Sequence, residues 1–337
     1  MKLNGIEIAV TSNCNLRCKH CYQEADNLRV KNLPAVIIEN VCSDALLAKV
    51  NTIAFSGGEF FCHPEYKQIL QLIKRYKSKI RFNIVTNGTL IDERKLRLLV
   101  DSGIKDMHIS IDGFKNDHNE RRGNGNFEKS VKSIKMLVSN NIKVSTTITI
   151  DNQNINYLNE LIIYLRNIGI SKFNLMNIAC AGNAVKNAKM SLKSNHYDTL
   201  RNIYLKYGTL NKLTERCGIF YNTISIDCDG SVYPCTMAKS MKILKMGNVL
   251  DYSFLKIWNN IKDEKKAPYL DFNRNKLKDE CHNCSSYTDC GGGCRIRAFK
   301  NTNDFYSTDA FACFVFSKSL NSDPNKLMWG KNIIYEK

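Results

Sequence analysis

The first half of the chain alternates short apolar runs with longer segments whose apolar residues recur at helical spacing. Strand-like runs rich in β-branched residues are predicted at 5–11, 50–55, 80–85, 105–111, 142–150 and 170–178. Helical patterns separate them; one predicted helix begins at its cap Asp92 and ends at Gly103. Strands joined through single helices should run parallel with right-handed crossovers. The pattern therefore predicts an α/β fold, an open partial (β/α)6 barrel.

Polar and glycine residues follow the ends of these predicted strands. They are Gly57-Gly58-Glu59, Thr86-Asn87-Gly88 and Ser110-Ile111-Asp112, together with the loop after the first strand. In parallel α/β architectures the functional site lies at the carboxyl ends of the strands. Because independent segments agree, we expect the chemistry of the chain at this edge. Asn87 is interpreted as a turn residue.

Three cysteines, Cys14, Cys18 and Cys21, stand within eight residues in the loop after the first strand. A four-iron four-sulfur cluster takes four ligands, usually cysteine thiolates, so three from one loop leave one iron open. An open metal position can bind a substrate or a cofactor. The alternative is a zinc or disulfide cluster, but three thiols are too few for a closed four-cysteine zinc site.

The spacing C-x3-C-x2-C, with His20 before the third cysteine, resembles the signature of the radical S-adenosylmethionine (radical SAM) superfamily. The resemblance implies that the amino and carboxylate groups of S-adenosylmethionine chelate the open iron. It also implies that reductive cleavage of this cofactor yields a 5′-deoxyadenosyl radical. His20 stands at the family's aromatic position, which lies beside the adenine.

The glycine pair after the second predicted strand also fits this resemblance. Gly57, Gly58 and Glu59 look like the family's Gly-Gly-Glu element. Backbone at a glycine pair can approach a ligand closely. The resemblance implies that Glu59 accepts hydrogen bonds from the amino group of the methionine.

Two further positions complete the implied cofactor site. Ser110 and Asp112 resemble the family's polar pair near the ribose and the methionyl end. Arg122 stands where related enzymes place an arginine towards the carboxylate. Arg121 is an equal candidate by its chemistry.

A second cysteine array occupies the C-terminal third of the chain. It consists of Cys217, Cys235, Cys281, Cys284, Cys290, Cys294 and Cys313, and Gly230 precedes Cys235 by five residues. The spacings G-x4-C and C-x2-C-x5-C-x3-C are similar to the SPASM pattern, a C-terminal extension of many radical SAM enzymes. A zinc ribbon is the alternative. Gly230 also predicts a hairpin turn.

The SPASM resemblance implies two auxiliary four-iron four-sulfur clusters, three clusters in all. The far cluster would be held by Cys281, Cys284, Cys290 and Cys313, and the near cluster by Cys217, Cys235 and Cys294. Cys294 would bind the near cluster although it lies among the far-cluster cysteines in sequence, just as one cysteine of each motif in a two-cluster ferredoxin binds the other cluster. The fourth ligand of the near cluster stays open: it is Cys228, or Cys228 is a free thiol, or one iron is open.

Cys180 and Cys228 are also candidate catalytic residues. Cys180 follows the sixth predicted strand, and either thiol could give a hydrogen atom to a substrate radical, as cysteines do in peptide epimerases of the superfamily. The alternative is that each is an ordinary small apolar residue. Cys42 is expected in the core.

Cysteines become dense in the C-terminal third of the chain, and this change in composition indicates a domain boundary. We expect a radical SAM partial barrel at 1–185, a linking helix region at 186–216, a SPASM domain at 217–318 and a polar C-terminal tail at 319–337.

Fourteen cysteines without an apolar N-terminal signal segment favour metal or redox chemistry in a reducing compartment, so we expect a cytoplasmic protein. No run is long enough to span a bilayer. The formal charge of +17 raises the alternative of an RNA-modifying radical enzyme. Lysines are scattered rather than clustered, so we do not expect a nucleic-acid partner. A basic surface would suit an acidic leader peptide.

The resemblance implies a peptide or protein substrate and an electron donor such as flavodoxin or ferredoxin. The favoured function is maturation of a ribosomal peptide (RiPP) by a thioether or C–C crosslink or by epimerisation. Because the chain starts almost at its first strand, a leader-binding domain would be a separate protein. The alternative is an anaerobic sulfatase-maturating, formylglycine-generating enzyme. Those enzymes carry Asp after the cysteine equivalent to Cys235, whereas this chain has Thr236.

Overall fold

The structure is a computed structural model, and it describes residues 3–23, 30–178, 182–207, 223–261 and 276–317. The sequence predictions for Cys180, Cys217 and the tail lie outside the described residues. Within those ranges, every helix is too short or too polar to cross a membrane.

The strands form one mainly parallel sheet. They are β1 (Gly5–Ala9), β2 (Thr52–Ser56), β3 (Arg81–Thr86), β4 (Asp106–Ser110), β5 (Lys143–Ile150), β6 (Lys172–Asn177), β7 (Thr223–Ile226), β8 (Ser231–Tyr233) and β9 (Gly247–Asn248). Their order is β6-β5-β4-β3-β2-β1-β7-β8-β9. Strands β1 to β6 are parallel neighbours in chain order, which confirms the partial barrel.

The helices that the structure describes cover both parts of the chain. They are α1 (Ala35–Leu47), α2 (Tyr66–Tyr76), α3 (Glu93–Ser102), α4 (Lys115–Arg122), α5 (Asn126–Ser139), α6 (Leu158–Asn167), α7 (Asn183–Lys186), α8 (Tyr197–Tyr207), α9 (Phe254–Ile261), α10 (Asp279–His282), α11 (Tyr287–Cys290), α12 (Arg295–Thr302) and α13 (Ala310–Ser317). The expectation of single connecting helices is wrong between β4 and β5, where α4 and α5 follow each other. Cys42 lies fully buried in α1, as expected.

Local signals explain several boundaries. The Asp92 side chain accepts a hydrogen bond from the backbone of Lys95 at 2.7 Å, and α3 ends at Gly103 with a left-handed φ of 77°. In β5, apolar or buried residues alternate with half-buried hydroxyl residues. Ser145 and Thr147 of the second set bind both ring nitrogens of His108 on β4. The face of β4 and β5 that carries these side chains is therefore polar.

The hairpin of β7 and β8 extends the barrel sheet. β7 pairs parallel with β1, with Ile8 opposite Ile226, and antiparallel with β8. Gly230, at a φ of 82°, completes the predicted turn. Because β1 and β7 are parallel, the turn after β7 lies at the same sheet edge as the loop after β1.

A mostly buried carboxylate, with 19 % of its side chain exposed, joins these strands. Glu7 of β1 accepts hydrogen bonds from Ser56 of β2 and Ser225 of β7, and its Oε2 lies 3.3 Å from the Thr236 hydroxyl. The Lys239 ammonium lies 2.9 Å from Oε2, with 6 % of its side chain exposed. Burial alone would raise the pKa of Glu7, but Lys239 and the hydroxyls outweigh it and the pKa is lowered.

We predict that Lys239→Met destabilises the fold by about 3 kcal/mol, because it leaves the Glu7 charge buried without its cation. The double variant Glu7→Gln/Lys239→Met should recover much of that loss, since the amide oxygen still accepts hydrogen bonds. Urea unfolding measures both.

The matched control is Lys31→Met. Lys31 pairs with Asp229 at 3.4 Å while 59 % of its side chain is exposed, so its loss should change the free energy of unfolding by less than about 1 kcal/mol. Equal effects of Lys239→Met and Lys31→Met would contradict the buried-pair interpretation.

Candidate active site

The three cysteines of the first loop pack together. Cys14 and Cys18 are buried and Cys21 packs against them. The Leu16 amide lies 3.4 Å from the Cys14 sulfur, and the Arg17 guanidinium donates to the Cys14 carbonyl at 2.7 Å. Burial raises the pKa of the Cys14 thiol to about 12, with smaller contributions from Glu59 and the other two thiols.

The glycine pair holds the start of this loop. The Gly58 amide donates to the Thr11 carbonyl at 2.7 Å, and the Glu59 amide donates to the Asn13 carbonyl at 2.8 Å. A Cβ atom on Gly58 would lie 2.4 Å from the Asn13 carbonyl oxygen, and one on Gly57 would lie 2.4 Å from that of Thr11. The close approach that requires glycine is therefore made to the protein's own cysteine loop.

The segment after β6 also holds the cysteine loop through hydrogen bonds. The Asn183 amide donates to the Cys21 carbonyl at 2.8 Å, and the Asn187 side chain donates to the Lys19 carbonyl at 3.0 Å. A Cβ atom on Gly182 would meet the Cys21 carbonyl at 2.3 Å. Sequence reasoning missed both asparagines; the signal that could have drawn attention to them is Gly182, which directly precedes Asn183.

Glu59 is 1 % exposed at the end of β2. It accepts hydrogen bonds from the Thr86 hydroxyl at 2.7 Å, the Asn87 amide at 2.8 Å and the Phe61 amide at 3.2 Å. Burial raises its pKa, and these donors oppose the rise. The Asn87 side chain accepts a hydrogen bond from the Thr89 amide, which agrees with its interpretation as a turn residue. It also donates to the side chain of Asn15 in the cysteine loop at 3.0 Å.

Asp112 and Arg122 form a buried ion pair, and His20 lies beside it. The Arg122 Nε donates to Asp112 Oδ2 at 2.6 Å, and His20 Nε2 lies 3.3 Å from both partners. The Thr149 amide donates to Asp112 Oδ1 at 3.0 Å. Burial alone would raise the pKa of Asp112, but Arg122, His20 and Arg121 hold it far below its usual range. Burial lowers the pKa of His20 to about 4, against the opposing charge of Asp112, so its ring is neutral near pH 7.

The two adjacent arginines have different surroundings. Arg121 is 1 % exposed, pairs with Asp151 and donates to the Thr149 carbonyl at 2.8 Å. Arg122 retains 11 % side-chain exposure and joins Asp112 and His20. Arg122 is therefore the arginine of this pair that faces the candidate site. Ser110 lies half-buried at the end of β4.

Four cysteines of the second array lie near one another. Burial raises the pKa of the Cys313 thiol, and the nearby thiols of Cys281 and Cys284 add to the rise. Burial likewise raises the pKa of Cys290, with further contributions from Cys313 and Cys281. The structure thus brings together the four cysteines assigned above to the far cluster. The amide of Cys294 donates instead to Asp309 at 2.7 Å, at the start of α12. Cys235 precedes a 3-10 helix, and Cys228 lies in the hairpin turn.

Family models match both parts of this arrangement. The model of the radical SAM superfamily matches residues 8–165, and that of SPASM, an iron-sulfur cluster-binding domain, matches residues 217–285. The chain is a radical SAM enzyme with a SPASM domain.

Relatives of this radical SAM enzyme have several activities. The chain is 27 % identical to the antilisterial bacteriocin subtilosin biosynthesis protein AlbA of Bacillus subtilis, over 88 % of this chain and 68 % of AlbA. It is 25 % identical to an Fe-coproporphyrin III synthase of Methanosarcina barkeri, over 92 % and 88 %. It is also 25 % identical to a cysteine-type anaerobic sulfatase-maturating enzyme of Clostridium novyi, over 92 % and 93 %.

The fold of the radical SAM enzyme is shared with SuiB of Streptococcus suis. The structure of SuiB bound to S-adenosylmethionine has a TM-score of 0.71 at 20 % identity, covering 93 % of this chain and 77 % of SuiB. SuiB bound to the precursor peptide SuiA has a TM-score of 0.72 at 17 % identity.

The residues of the first loop fit the family's cofactors. The Nδ1 atom of His20 is buried and has no hydrogen-bond partner among the described residues, as expected if a bound ligand supplies one. The packed thiols Cys14, Cys18 and Cys21 supply three ligands from one loop, too few for a closed four-cysteine zinc site and one fewer than the usual four of a four-iron cluster.

We predict that Gly58→Ala lowers the stability by about 1–3 kcal/mol, because the new methyl group would overlap the backbone of Ser12 and Asn13. Displacement of the loop should also lower the iron content after reconstitution. Denaturant unfolding and iron quantitation measure the two effects.

Gly5→Ala is the control, since a Cβ atom there has its nearest neighbour at 3.7 Å. Its stability should stay within about 1 kcal/mol of the wild type. If Gly58→Ala keeps wild-type stability and iron content, the close contact of Gly58 with the backbone before Cys14 is not required to hold the cysteine loop.

Proposed function

We propose that this radical SAM enzyme removes a hydrogen atom from a residue of a peptide substrate and thereby matures a ribosomal peptide. The product would be a thioether or C–C crosslink or an epimerised residue. The observation that carries the proposal is the parallel pairing of β1 with β7. It sets the radical-generating loop and the SPASM hairpin at one edge, where an extended peptide could meet both.

When bound and reduced, S-adenosylmethionine and the first-loop cluster supply a hydrogen-abstracting radical. Cys14, Cys18 and Cys21 would hold the cluster, with its fourth iron open to the cofactor. Glu59 would accept from the methionine amino group, since three of its about four acceptor positions are occupied by protein donors. Arg122, fixed by Asp112, would face the carboxylate.

The adenine would lie beside His20. A neutral ring with one unpartnered nitrogen suits an uncharged heterocycle, because a hydrogen bond there would satisfy the buried atom. Ser110, half-buried at the end of the neighbouring strand, is proposed to lie near the ribose. The polar face of β4 and β5 would then border the substrate.

Relatives support the peptide class. AlbA is a subtilosin biosynthesis protein, and SuiB has been solved with a precursor peptide. The kinship to an Fe-coproporphyrin III synthase makes a tetrapyrrole substrate an outcome to test. We propose three clusters, an electron donor such as flavodoxin or ferredoxin, and a separate leader-binding protein as the further components.

Sulfatase maturation is the second candidate, supported by the relative from Clostridium novyi. Thr236 replaces the aspartate of those enzymes, but its hydroxyl lies 3.3 Å from the carboxylate of Glu7. That carboxylate is already bound by Ser56, Ser225 and Lys239. Glu7 is thus a poor substitute for a free base, which favours peptide maturation.

The hairpin register bears on Cys228. Tyr233 lies opposite Ser225, so Cys235 stands two residues beyond this pair at one end and Cys228 three residues beyond it at the other. Cys228 thus lies in the turn at the sheet edge that carries the cysteine loop after β1, whereas the segment after Cys235 returns to the Glu7 carboxylate through Thr236. We therefore propose that Cys228 is a free thiol near the radical site, able to donate a hydrogen atom, rather than the fourth ligand of the near cluster.

To test the function, the reduced holoenzyme is mixed with S-adenosylmethionine and the short peptides encoded beside its gene. We expect 5′-deoxyadenosine together with either loss of two hydrogen masses, for a crosslink, or uptake of solvent deuterium, for epimerisation. A variant with Cys14, Cys18 and Cys21 changed to Ala should produce neither. An aldehyde on a sulfatase peptide would support the second candidate, and 5′-deoxyadenosine formation only with a porphyrin would contradict the proposal.

We predict that Cys228→Ala keeps the wild-type iron content, whereas Cys235→Ala loses about four irons per chain. If the product is an epimer, Cys228→Ala should also stop deuterium uptake. Iron quantitation and peptide mass spectrometry read the two effects. Loss of about four irons from Cys228→Ala would restore it as a ligand.

A further inference from the structure

The guanidinium of Arg295 is buried in the cysteine-rich part of the chain. It is 1 % exposed, and its Nη1 donates to the carbonyls of Phe305 at 2.9 Å and Ser307 at 2.7 Å. Its Nε and Nη2 have no hydrogen-bond partner among the described residues. Arginine is charged at any physiological pH, so a full positive charge is held here with two unused donors.

The unused donors lie beside the far-cluster loop. A Cβ atom on Gly292, whose φ is 81°, would lie 3.4 Å from Arg295 Nη2, so the guanidinium sits against the backbone between Cys290 and Cys294. Burial raises the pKa of the Cys313 thiol to about 11, and the charge of Arg295 opposes the rise at Cys313 and at Cys281. The guanidinium is therefore close to at least two of the four clustered thiols.

Arg297, two residues further along α12, shows the contrast. Its guanidinium binds both oxygens of the buried Asp309, one of them at 2.7 Å. For Arg295, no acidic side chain in the described part of the chain forms an ion pair. A buried cation is stable only with a compensating anion and acceptors for its donors. A cluster held by four thiolates provides both.

We propose that Arg295 donates N–H···S hydrogen bonds to the far auxiliary cluster and raises its reduction potential. The inference rests on the auxiliary clusters proposed above. Reduction potentials of iron-sulfur clusters depend on net charge and on hydrogen bonds to sulfur. A buried cation beside the cluster, with two donors available for hydrogen bonds to sulfur, stabilises the reduced, more negative form. Arg295 is thus a positioning and tuning residue, not a catalytic one.

The test is a redox titration followed by electron paramagnetic resonance. A background with Cys14, Cys18 and Cys21 changed to Ala removes the signal of the first cluster and leaves the auxiliary ones. In Arg295→Gln, one auxiliary cluster should shift to a lower potential, by at least a tenfold change in its oxidised-to-reduced ratio, ~59 mV for one electron. The other should stay in place. Arg295→Lys, which keeps the charge but not the planar donors, should shift less.

Lys300→Gln is the control, because it removes a positive charge from the exposed part of the same helix. It should leave both potentials unchanged. If Arg295→Gln loses iron, the test rests on Arg295→Lys. A shift in the reduction potential of one auxiliary cluster in that variant supports the proposal, and unchanged potentials overturn it. Unchanged potentials in both Arg295 variants at full iron content, or an equal shift in Lys300→Gln, also overturn it. The iron count and the spectrum of the background protein test the auxiliary clusters independently of Arg295.

Discussion

Strand β1 is hydrogen-bonded on both sides by parallel strands, β2 and β7, and the arrangement of the site depends on this pairing. Parallel ladders align the carboxyl ends of their strands. The cysteine loop after β1, the Gly57-Gly58 turn after β2 and the turn containing Cys228 after β7 therefore meet at one edge. The same pairing buries Glu7 between neighbouring strands, and that carboxylate is stable because Lys239 reaches it from the segment that follows Cys235.

Compensated buried charges recur through the molecule. Arg121 with Asp151 and Arg297 with Asp309 each join elements that lie apart in the chain. Because each of these charges is paired with an opposite charge inside the protein, the pairs hold the framework together. Arg295 differs because no acidic side chain of the described residues pairs with it, and its recorded hydrogen bonds go to the carbonyls of Phe305 and Ser307. Exposure and partners separate Arg122 from Arg121 at the first loop, where sequence reasoning left them equal: the Arg122 side chain is 11 % exposed and joins His20, whereas that of Arg121 is 1 % exposed.

Much of the barrel could be predicted from the sequence because its signals are local. The β-branched runs, the cap Asp92 and the stop Gly103 act within a few residues. Helix α4 was missed because its sequence, KNDHNERR, contains no apolar residue and so shows no periodicity. The pairing of β1 with β7 joins segments more than two hundred residues apart, and a parallel pair has no turn to announce it. Asn183 and Asn187 were missed because a side chain that binds a distant carbonyl has no sequence signature.

The unused hydrogen-bonding groups at the first loop describe the ligand that the loop would take. Glu59 accepts three bonds and has room for about one more donor. The Nδ1 atom of His20 is buried without a partner in the described ranges, and Arg122 is partly exposed while Asp112 is fully covered. A ligand that satisfies all three needs a cationic donor, a polar heterocycle and an anionic group, spaced across the edge of one sheet. An amino acid joined to a nucleoside has these groups, and S-adenosylmethionine is such a molecule.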